Sequence, residues 1–335
     1  MVDLGASLFS PSRESGIALR ESLNRDFAES LEHIFEACGE HFDFSREQAE
    51  ALVSRIRQGS RETPYMFALH FKLFEAIQDD RLNDVQALIA RILSLEPANP
   101  GVLLTSFIAE EFPWDADVIA DYFGTEEVLD FRYVAPAADG VPSRKTQIRA
   151  TLDLIQRGAP DLAAELEELV TTVILAHRGS LRDDPSLIGP FAGASALRSF
   201  GAVLVDVEPD LTIINCAVTL IHEAAHHALF AFAPMESVVT NKDNERYSSP
   251  LRDDMRPLEG IFHATFVIAR IIYGLEAMLS SGRLSAAEER LAAEALDFHR
   301  PLFFEGVEKV HRHGKLTPSG EIALEATESY MAAFA

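Results

Sequence analysis

The feature that most constrains this fold is a long apolar run that contains ionisable side chains. Residues 211–233 are apolar over most of their length, and that length would suit a membrane span. The run contains Asn215, His222, Glu223, His226 and His227. So many ionisable groups inside a bilayer would be too costly. The sequence therefore predicts a buried helix of a soluble protein, whose polar side chains need partners.

Composition excludes several classes of function. Lys and Arg number 29 against 53 Asp and Glu, so the formal net charge is -24. A surface this acidic repels phosphate backbones and anionic lipid, so we expect neither a nucleic-acid nor a membrane partner. Two cysteines, Cys38 and Cys216, are too few for a disulfide scaffold and favour a reducing compartment. With no basic-then-apolar segment at the N-terminus, we expect a cytoplasmic protein.

The order of patterns along the chain predicts two regions. A chain of 335 residues suggests two domains or one large one. We predict an N-terminal helical region over 1–135, a short Pro/Gly-rich linker over 135–143, and a metal-binding catalytic domain over 143–335. β-Branched runs at 170–175 and 202–207 are typical of strands. The expected fold class is mainly α with a small β element (α+β).

Start signals for helices are frequent in both regions. In the first region the predicted N-terminal signals are Ser45 with Gln48, Thr63 with Pro64, Asn83, and Asp115. A helix closed by Gly124 is expected after Asp115. In the second region helices are predicted over 145–156 and 161–169, from Pro209-Asp210 through the apolar run, from Pro257 to about residue 279, and from Ser285 onward.

The sharpest chemical signal is His222-Glu223-Ala224-Ala225-His226, an HExxH motif inside the apolar helix. Residues four apart lie on one helix face, so both imidazoles can bind one divalent metal ion. Glu223 can polarise a metal-bound water or orient a ligand. His227 points roughly 100° away around the helix and is expected to have a supporting or structural role.

A third ligand is needed, and three residues are candidates. Glu245 has the spacing of a glutamate-type zinc peptidase, but Pro234 ends the motif helix and residues 241–244 predict a loop. Glu259 and His263 are four apart on the helix that Pro257 opens, and His263 has strongly apolar neighbours. We favour His263 and keep Glu259 and Glu245 as alternatives. A metzincin is excluded because no glycine and third histidine follow at the required spacing.

A second signal is a pair of arginines around two aspartates. Arg252 and Arg256 flank Asp253 and Asp254 immediately before the second buried helix. One interpretation is an ion-pair network that ties a loop to the domain. The other is a carboxylate clamp, because guanidinium binds carboxylates in a bidentate manner. Both interpretations stay open at the level of the sequence.

The HExxH motif and the downstream segment YSSPLRDDMRPLEGIFH, residues 247–263, together resemble a known family. They are similar to HExxH-motif proteins that modify ribosomally made precursor peptides. The resemblance is dense over residues 216–270, plausible from about residue 143 to the C-terminus, and thin over the N-terminal half. Members of this family resemble, in activity, iron(II)- and 2-oxoglutarate-dependent enzymes that hydroxylate the β-carbon of a peptide residue.

The resemblance implies a metal-dependent dioxygenase with a precursor peptide as substrate and partner. It implies His222, His226 and His263 as Fe(II) ligands, and Arg252 or Arg256 as the partner of the distal carboxylate of 2-oxoglutarate. Tyr247, in the same motif, is then expected at the cofactor site. Most non-haem iron oxygenases use two histidines and one carboxylate, a set that Glu259 would restore.

Two alternatives from other classes remain. The first is a zinc-dependent metallopeptidase or other hydrolase, in which Glu223 is the general base on zinc-bound water and an arginine steadies the substrate. The second is a non-enzymatic interaction protein that is stabilised by a metal. The metal, iron or zinc, is the observation that would separate the two enzymes.

Overall fold

The computed structural model describes residues 5, 10–123, 131–180, 191–208, 211–234, 236–251 and 254–332. In these ranges the chain is mainly helical with a small mixed sheet, which confirms the expected fold class at that level. The helices are α1 Arg13–Cys38, α2 Arg46–Arg57, α3 Pro64–Gln78, α4 Leu82–Leu93, α5 Ala116–Ala120, α6 Val141–Gly158, α7 Pro160–Leu169, α8 Ile213–Phe232, α9 Leu258–Ser280, α10 Ala286–His313 and α11 Pro318–Ala332. The strands are β1 Leu103–Ser106, β2 Phe131–Val134, β3 Thr172–Ser180, β4 Gly193–Ser195, β5 Ala202–Asp206, β6 Arg246–Ser248 and β7 Met255–Pro257.

The chain divides into two compact units. The first unit comprises Met1–Leu19, Thr146–Leu166 and Asp210–Ala335, and the second comprises Arg20–Lys145 and Glu167–Pro209. This division differs from the regions 1–135 and 143–335, because the chain enters each unit more than once. A metal-binding catalytic domain over residues 143–335 stays a prediction.

The first unit is a packed set of helices. Helix α9 contacts α8, α10 and α11, and the β6–β7 hairpin leads directly into its N-terminus. Most side chains of α8 and α9 are buried. Gly274 allows a close approach between these two helices, since a Cβ at this position would lie 2.7 Å from Cδ1 of Ile221. The HExxH helix is therefore a core element of this unit, as predicted.

One helix in the described part of the chain, α9, is long and apolar enough to cross a membrane by composition. It is not the 211–233 run that the sequence singled out. Most of α9 is buried within the first unit. Arg270, in the middle of this helix, pairs with Glu165, and each of the two side chains is 2% exposed. A buried ion pair and neighbouring helices are typical of a core helix in a soluble protein.

The sheet belongs to the second unit. Strands β1, β3 and β5 are parallel neighbours, with Leu103 opposite Thr172 and Thr172 opposite Ala202. Strand β4 adds to β5, and β2 pairs with the end of β3, both antiparallel. Val203, Leu204 and Val205 are buried, as expected of a strand covered on both faces. Strands β3 and β5 confirm the two predicted β-branched runs.

The prediction that residues 1–135 are helical is wrong at two places. Strands β1 and β2 lie in that range. Both are four-residue segments, and β1 runs beside β3 from residue 172 onward. Strands this short carry almost no periodic signal, and their pairing depends on residues distant in sequence.

The predicted helix starts are mostly confirmed by their caps. Ser45, Thr63 and Asp115 each accept a backbone N–H of the first turn. Asn83 is not a cap, because helix α4 begins at Leu82 after Arg81. Helix α6 begins at Val141, inside the predicted linker. Pro209, Asp210 and Gly124 lie outside the described residues. The motif helix does not start at Pro209-Asp210 as predicted, because α8 begins at Ile213 with Thr212 as its cap.

Candidate metal centre

Helix α8 places the two motif histidines side by side. Thr212 caps the helix by accepting the N–H of Asn215 at 3.1 Å, and the helix then runs without a break to Phe232. His222 and His226 are thus one turn apart on one face. Their Nε2 atoms lie 3.2 Å apart, and their ring centroids lie 4.9 Å apart.

The separation of the two nitrogens matches the spacing of two ligands on one ion. With metal–nitrogen bonds of about 2.1 Å, two ligands are roughly 3.0 Å apart at octahedral angles and roughly 3.4 Å apart at tetrahedral angles. The observed 3.2 Å lies between these values. The backbone of α8 therefore already holds His222 and His226 at a distance that suits a bound divalent metal.

Glu223 completes a compact group with the two histidines. One carboxylate oxygen of Glu223 and one ring nitrogen of each histidine all lie within 4.8 Å of one another. Glu223 is buried, whereas both histidines are half-buried. Among the His, Cys, Asp and Glu side chains of the described residues, those of His222, Glu223 and His226 form a group compact enough to hold a metal ion.

The surroundings keep both imidazoles neutral. Burial, with a smaller contribution from the charge on His299, lowers the pKa of His222 to about 4. Burial also lowers the pKa of His226 well below its usual 6.5, helped by His222, His263 and His227. Neutral imidazole is the form that binds a metal, so near neutral pH few protons would compete for this site.

His263 lies next to this group on the neighbouring helix α9. Its ring centroid is 5.6 Å from that of His226 and 5.9 Å from that of Phe230. Its Nε2 is 3.4 Å from Oε1 of Glu259 one turn earlier. His263 therefore contacts a motif histidine, as a ligand on a second helix should, although it is not part of the compact group.

Glu259 has partners on the loop after α8. Its carboxylate accepts hydrogen bonds from the Ser237 hydroxyl and, at 3.4 Å, from the backbone N–H of Val238. Burial would raise the pKa of Glu259, but the bonds from His263 and Ser237 outweigh it and lower that pKa. Glu259 is thus an ionised side chain that links His263 to a loop.

Glu245 lies in the loop that the sequence predicted. Its carboxylate accepts from Nδ2 of Asn241 and from the hydroxyl of Tyr247, both at 3.2 Å. The bond from Asn241 is the main reason that its pKa is lowered. Glu245 is not a member of the compact group with His222 and His226. The Tyr247 ring in turn packs on His313, with centroids 4.7 Å apart.

The structure describes one of the two predicted clamp arginines, Arg256. Arg252 lies outside the described residues. Arg256 is opposite Tyr247 in the β6–β7 hairpin, immediately before α9, and its Nε is 2.8 Å from a carboxylate oxygen of Asp254. This contact agrees with the ion-pair interpretation and leaves the clamp as a prediction.

One residue that the sequence did not single out belongs near the site. His299 on α10 is buried, and its Nδ1 is 2.7 Å from the carbonyl oxygen of Ala295. It contributes, after burial, to lowering the pKa of His222. A histidine this far along the chain has no spacing that relates it to HExxH, so only the packing of the helices reveals it.

Comparison with known proteins does not identify this site. No protein-family model matches the chain, and no curated protein matches it. The resemblance to peptide-modifying HExxH proteins thus rests on the amino-acid sequence alone.

Proposed function

We propose that this protein is an enzyme with one divalent metal ion held by α8. The observation that carries the proposal is the 3.2 Å separation of the His222 and His226 Nε2 atoms beside the Glu223 carboxylate. Two neutral imidazoles on one helix face are donors that suit iron or zinc. Both rings are held by a helix in the core of the first unit, so the ligands are positioned before any metal arrives.

The reaction we propose is hydroxylation of a side-chain carbon of a peptide, dependent on Fe(II) and 2-oxoglutarate. Fe(II) with 2-oxoglutarate would supply the activation of O₂, which converts C–H to C–OH as the co-substrate becomes succinate and CO₂. His222 and His226 bind the iron, and His263 is the third ligand. Arg252 or Arg256, with Tyr247 nearby in the motif, binds the distal carboxylate of the co-substrate.

Several features of the described residues support this proposal. His263 packs beside His226 from a separate helix, next to the compact group of His222, Glu223 and His226. Arg256 directly precedes the helix that carries His263, which puts a guanidinium at the end of the element that supplies the proposed third ligand. A precursor peptide as partner and a cytoplasmic location belong to the same proposal.

A zinc hydrolase is a second candidate, which the position of Glu223 favours. Its carboxylate lies within 4.8 Å of both imidazole nitrogens, where a general base could reach metal-bound water. In an oxygenase the same carboxylate would only orient a ligand. A substitution of Glu223 therefore distinguishes the two reactions, because only the hydrolase needs this carboxylate as a base.

The test begins without a peptide. Protein loaded anaerobically with Fe(II) is titrated with 2-oxoglutarate and followed by the charge-transfer absorption of the chelate, and succinate is then measured after O₂ and ascorbate are added. The oxygenase proposal predicts the absorption band and succinate from wild type and from Glu223→Gln. Zinc-loaded protein that cleaves peptides without O₂, and loses about 10²–10⁴-fold of that rate in Glu223→Gln, would overturn it.

A further inference from the structure

The first unit contains a cavity whose lining includes no residue of the candidate metal centre. The cavity has a volume of about 410 Å³ and is formed by the end of α6, the start of α7, the last part of α9 and the turn that follows α9. Gly158 lets α6 approach α9 closely here, because a Cβ at this position would lie 2.7 Å from Cγ of Met278. Small-molecule sites usually have volumes of about 300–1,000 Å³, so the cavity is large enough for a ligand.

Two arginines line this cavity without a carboxylate partner. Arg157 is in the last turn of α6 and Arg283 follows α9, and both are exposed. Nη1 of Arg157 donates to the carbonyl oxygen of Arg283 at 3.5 Å, so the two residues are neighbours. Neither forms an ion pair in the described part of the chain, although the protein has 53 Asp and Glu against 29 Lys and Arg. An anion in the cavity would compensate both positive charges.

The acidic groups around these arginines do not neutralise them. Arg157 contributes to lowering the pKa of Glu288, but the bonds of Glu288 with Ser285 have the larger effect. The Glu288 carboxylate accepts the backbone N–H of Ser285 in the capping box of α10. Among the described residues that line the cavity, Asp161 is the acidic one, and it is exposed. Its charge opposes an anionic ligand, so its removal gives a test of opposite sign.

The cavity also contains hydroxyl groups that can donate hydrogen bonds. The hydroxyls of Tyr273 and Ser280 have no hydrogen-bond partner among the residues that the structure describes. Burial raises the pKa of Tyr273, so its hydroxyl stays protonated at neutral pH and can donate. Leu162, Ala277 and the ring of Tyr273 supply apolar surface. The cavity thus combines cationic and hydroxyl donors with an apolar wall.

We infer that this cavity binds a small organic anion. The phosphate or carboxylate group of the ligand lies between Arg157 and Arg283, since guanidinium forms charge-assisted hydrogen bonds with both kinds of group. The Tyr273 hydroxyl donates to the same group, and the apolar part of the ligand contacts the Tyr273 ring and Ala277. The inference depends neither on the metal ion nor on the proposed reaction, because no residue of the metal centre takes part.

Isothermal titration calorimetry on the full chain tests the inference, with phenyl phosphate and benzoate as probes. At least one of them should bind as a single equivalent with a Kd below about 1 mM, and the tighter of the two identifies the anionic group. Phenol lacks the charge and inorganic phosphate lacks the ring. Each should therefore bind about tenfold more weakly than phenyl phosphate, or weaker still.

The variants locate the bound anion. Arg157→Gln and Arg283→Gln should each weaken binding of the tighter probe about tenfold or more, because each removes a charge-assisted pair. Asp161→Asn should strengthen binding about two- to fivefold, because it removes an exposed repelling charge. Arg290→Gln replaces an exposed arginine of α10 that is not part of the cavity lining, and this matched control should bind as wild type does.

Three outcomes would overturn the inference. One is that wild type binds neither phenyl phosphate nor benzoate at about 1 mM. Another is that both arginine variants bind the probe as wild type does, which would place the anion elsewhere on the protein. The third is equal affinity for inorganic phosphate and phenyl phosphate, which would indicate an adventitious ion only. Circular dichroism checks that a variant with weaker binding is folded.

Discussion

Buried histidines occur in both units, and they differ in their neighbours. His70 in the second unit lies between aromatic rings, with Phe27 and Phe71 about 5 Å away, and its Nε2 is 2.8 Å from the Ser30 hydroxyl. In the first unit, the imidazole of His222 lies beside another imidazole, that of His226. Burial lowers the pKa of His70 to about 4, as it does for His222.

The comparison shows which property identifies a site. His70 and His226 each have a buried Nδ1 without a hydrogen-bond partner in the described residues, so this property does not distinguish them. A lowered pKa does not distinguish the units either. The difference is that several metal-binding atoms lie together in the first unit. One ring nitrogen each of His222 and His226 and a carboxylate oxygen of Glu223 all lie within 4.8 Å of one another. A core histidine has a single hydroxyl as partner, and a metal site has several donors around a common point.

The largest expected effect is on metal binding. His222→Ala and His226→Ala should each lose stoichiometric metal, because each removes a ligand that the helix has already positioned. His70→Ala should keep one metal per chain while it destabilises the second unit through a cavity. Elemental analysis after dialysis gives the stoichiometry, and circular dichroism checks the fold. Equal metal loss from His70→Ala would remove the distinction between the two kinds of histidine.

The third ligand is the next test. His263→Ala should also lose metal, whereas Glu245→Gln should keep it, since Glu245 bonds to Asn241 and Tyr247 instead. Glu259→Gln should retain the ion with weaker affinity, because it alters only the partner of His263. If His263→Ala binds metal normally and Glu259→Gln does not, the third ligand is Glu259.

Buried ion pairs extend the comparison to stability. Among the described residues, Arg270 pairs with Glu165 in the first unit, and Arg20 pairs with Glu168, 3.1 Å apart, in the second. Removing one partner leaves an uncompensated buried charge, so Arg270→Ala and Arg20→Ala should each cost about 3–5 kcal/mol in urea unfolding. Neither should change metal stoichiometry in the folded protein. A loss of stability no larger than that of an exposed ion pair, about 0–1 kcal/mol, would contradict this expectation.

A smaller effect is expected from pH. His70 has a folded-state pKa of about 4 and an unfolded-state pKa of about 6.5, so the unfolded chain binds a proton first as the pH falls. Stability is therefore lost as pH falls below about 6.5, until about pH 4. By pH 5 this amounts to about 2 kcal/mol.

Urea unfolding of metal-free protein between pH 8 and 5 measures this loss. His70→Gln should show a shallower pH dependence than wild type by that amount, and His33→Gln, at an exposed position, is the control. An unchanged slope in His70→Gln would mean that His70 is already charged in the folded state.

The sequence predicted the elements that carry the site better than the elements around it. Helices α8 and α9 have long apolar patterns, and the HExxH spacing alone places His222 and His226 on one face. Caps at Ser45, Thr63 and Asp115 also follow from local chemistry. Local patterns were sufficient wherever the partners are within one or two helical turns.

What the sequence could not predict depends on contacts between distant residues. Strand β1 is defined by its pairing with β3, and no periodicity marks it. Helix α10 folds back along α9, where Arg300 pairs with Glu276, and no local pattern marks that pairing. Asn83 is a good cap by type, but α4 starts two positions earlier, with Arg81 as its N-cap, directly after the turn at Asp80, whose φ is 54°.

The most direct test of the metal centre is X-ray absorption on wild type loaded with one equivalent of Co(II). The account predicts a first shell at about 2.0–2.1 Å with the multiple scattering of at least two imidazoles. His70→Ala, loaded in the same way, should give the same spectrum. A first shell of oxygen alone, with no imidazole scattering, would show that His222 and His226 do not hold the ion and would contradict the account.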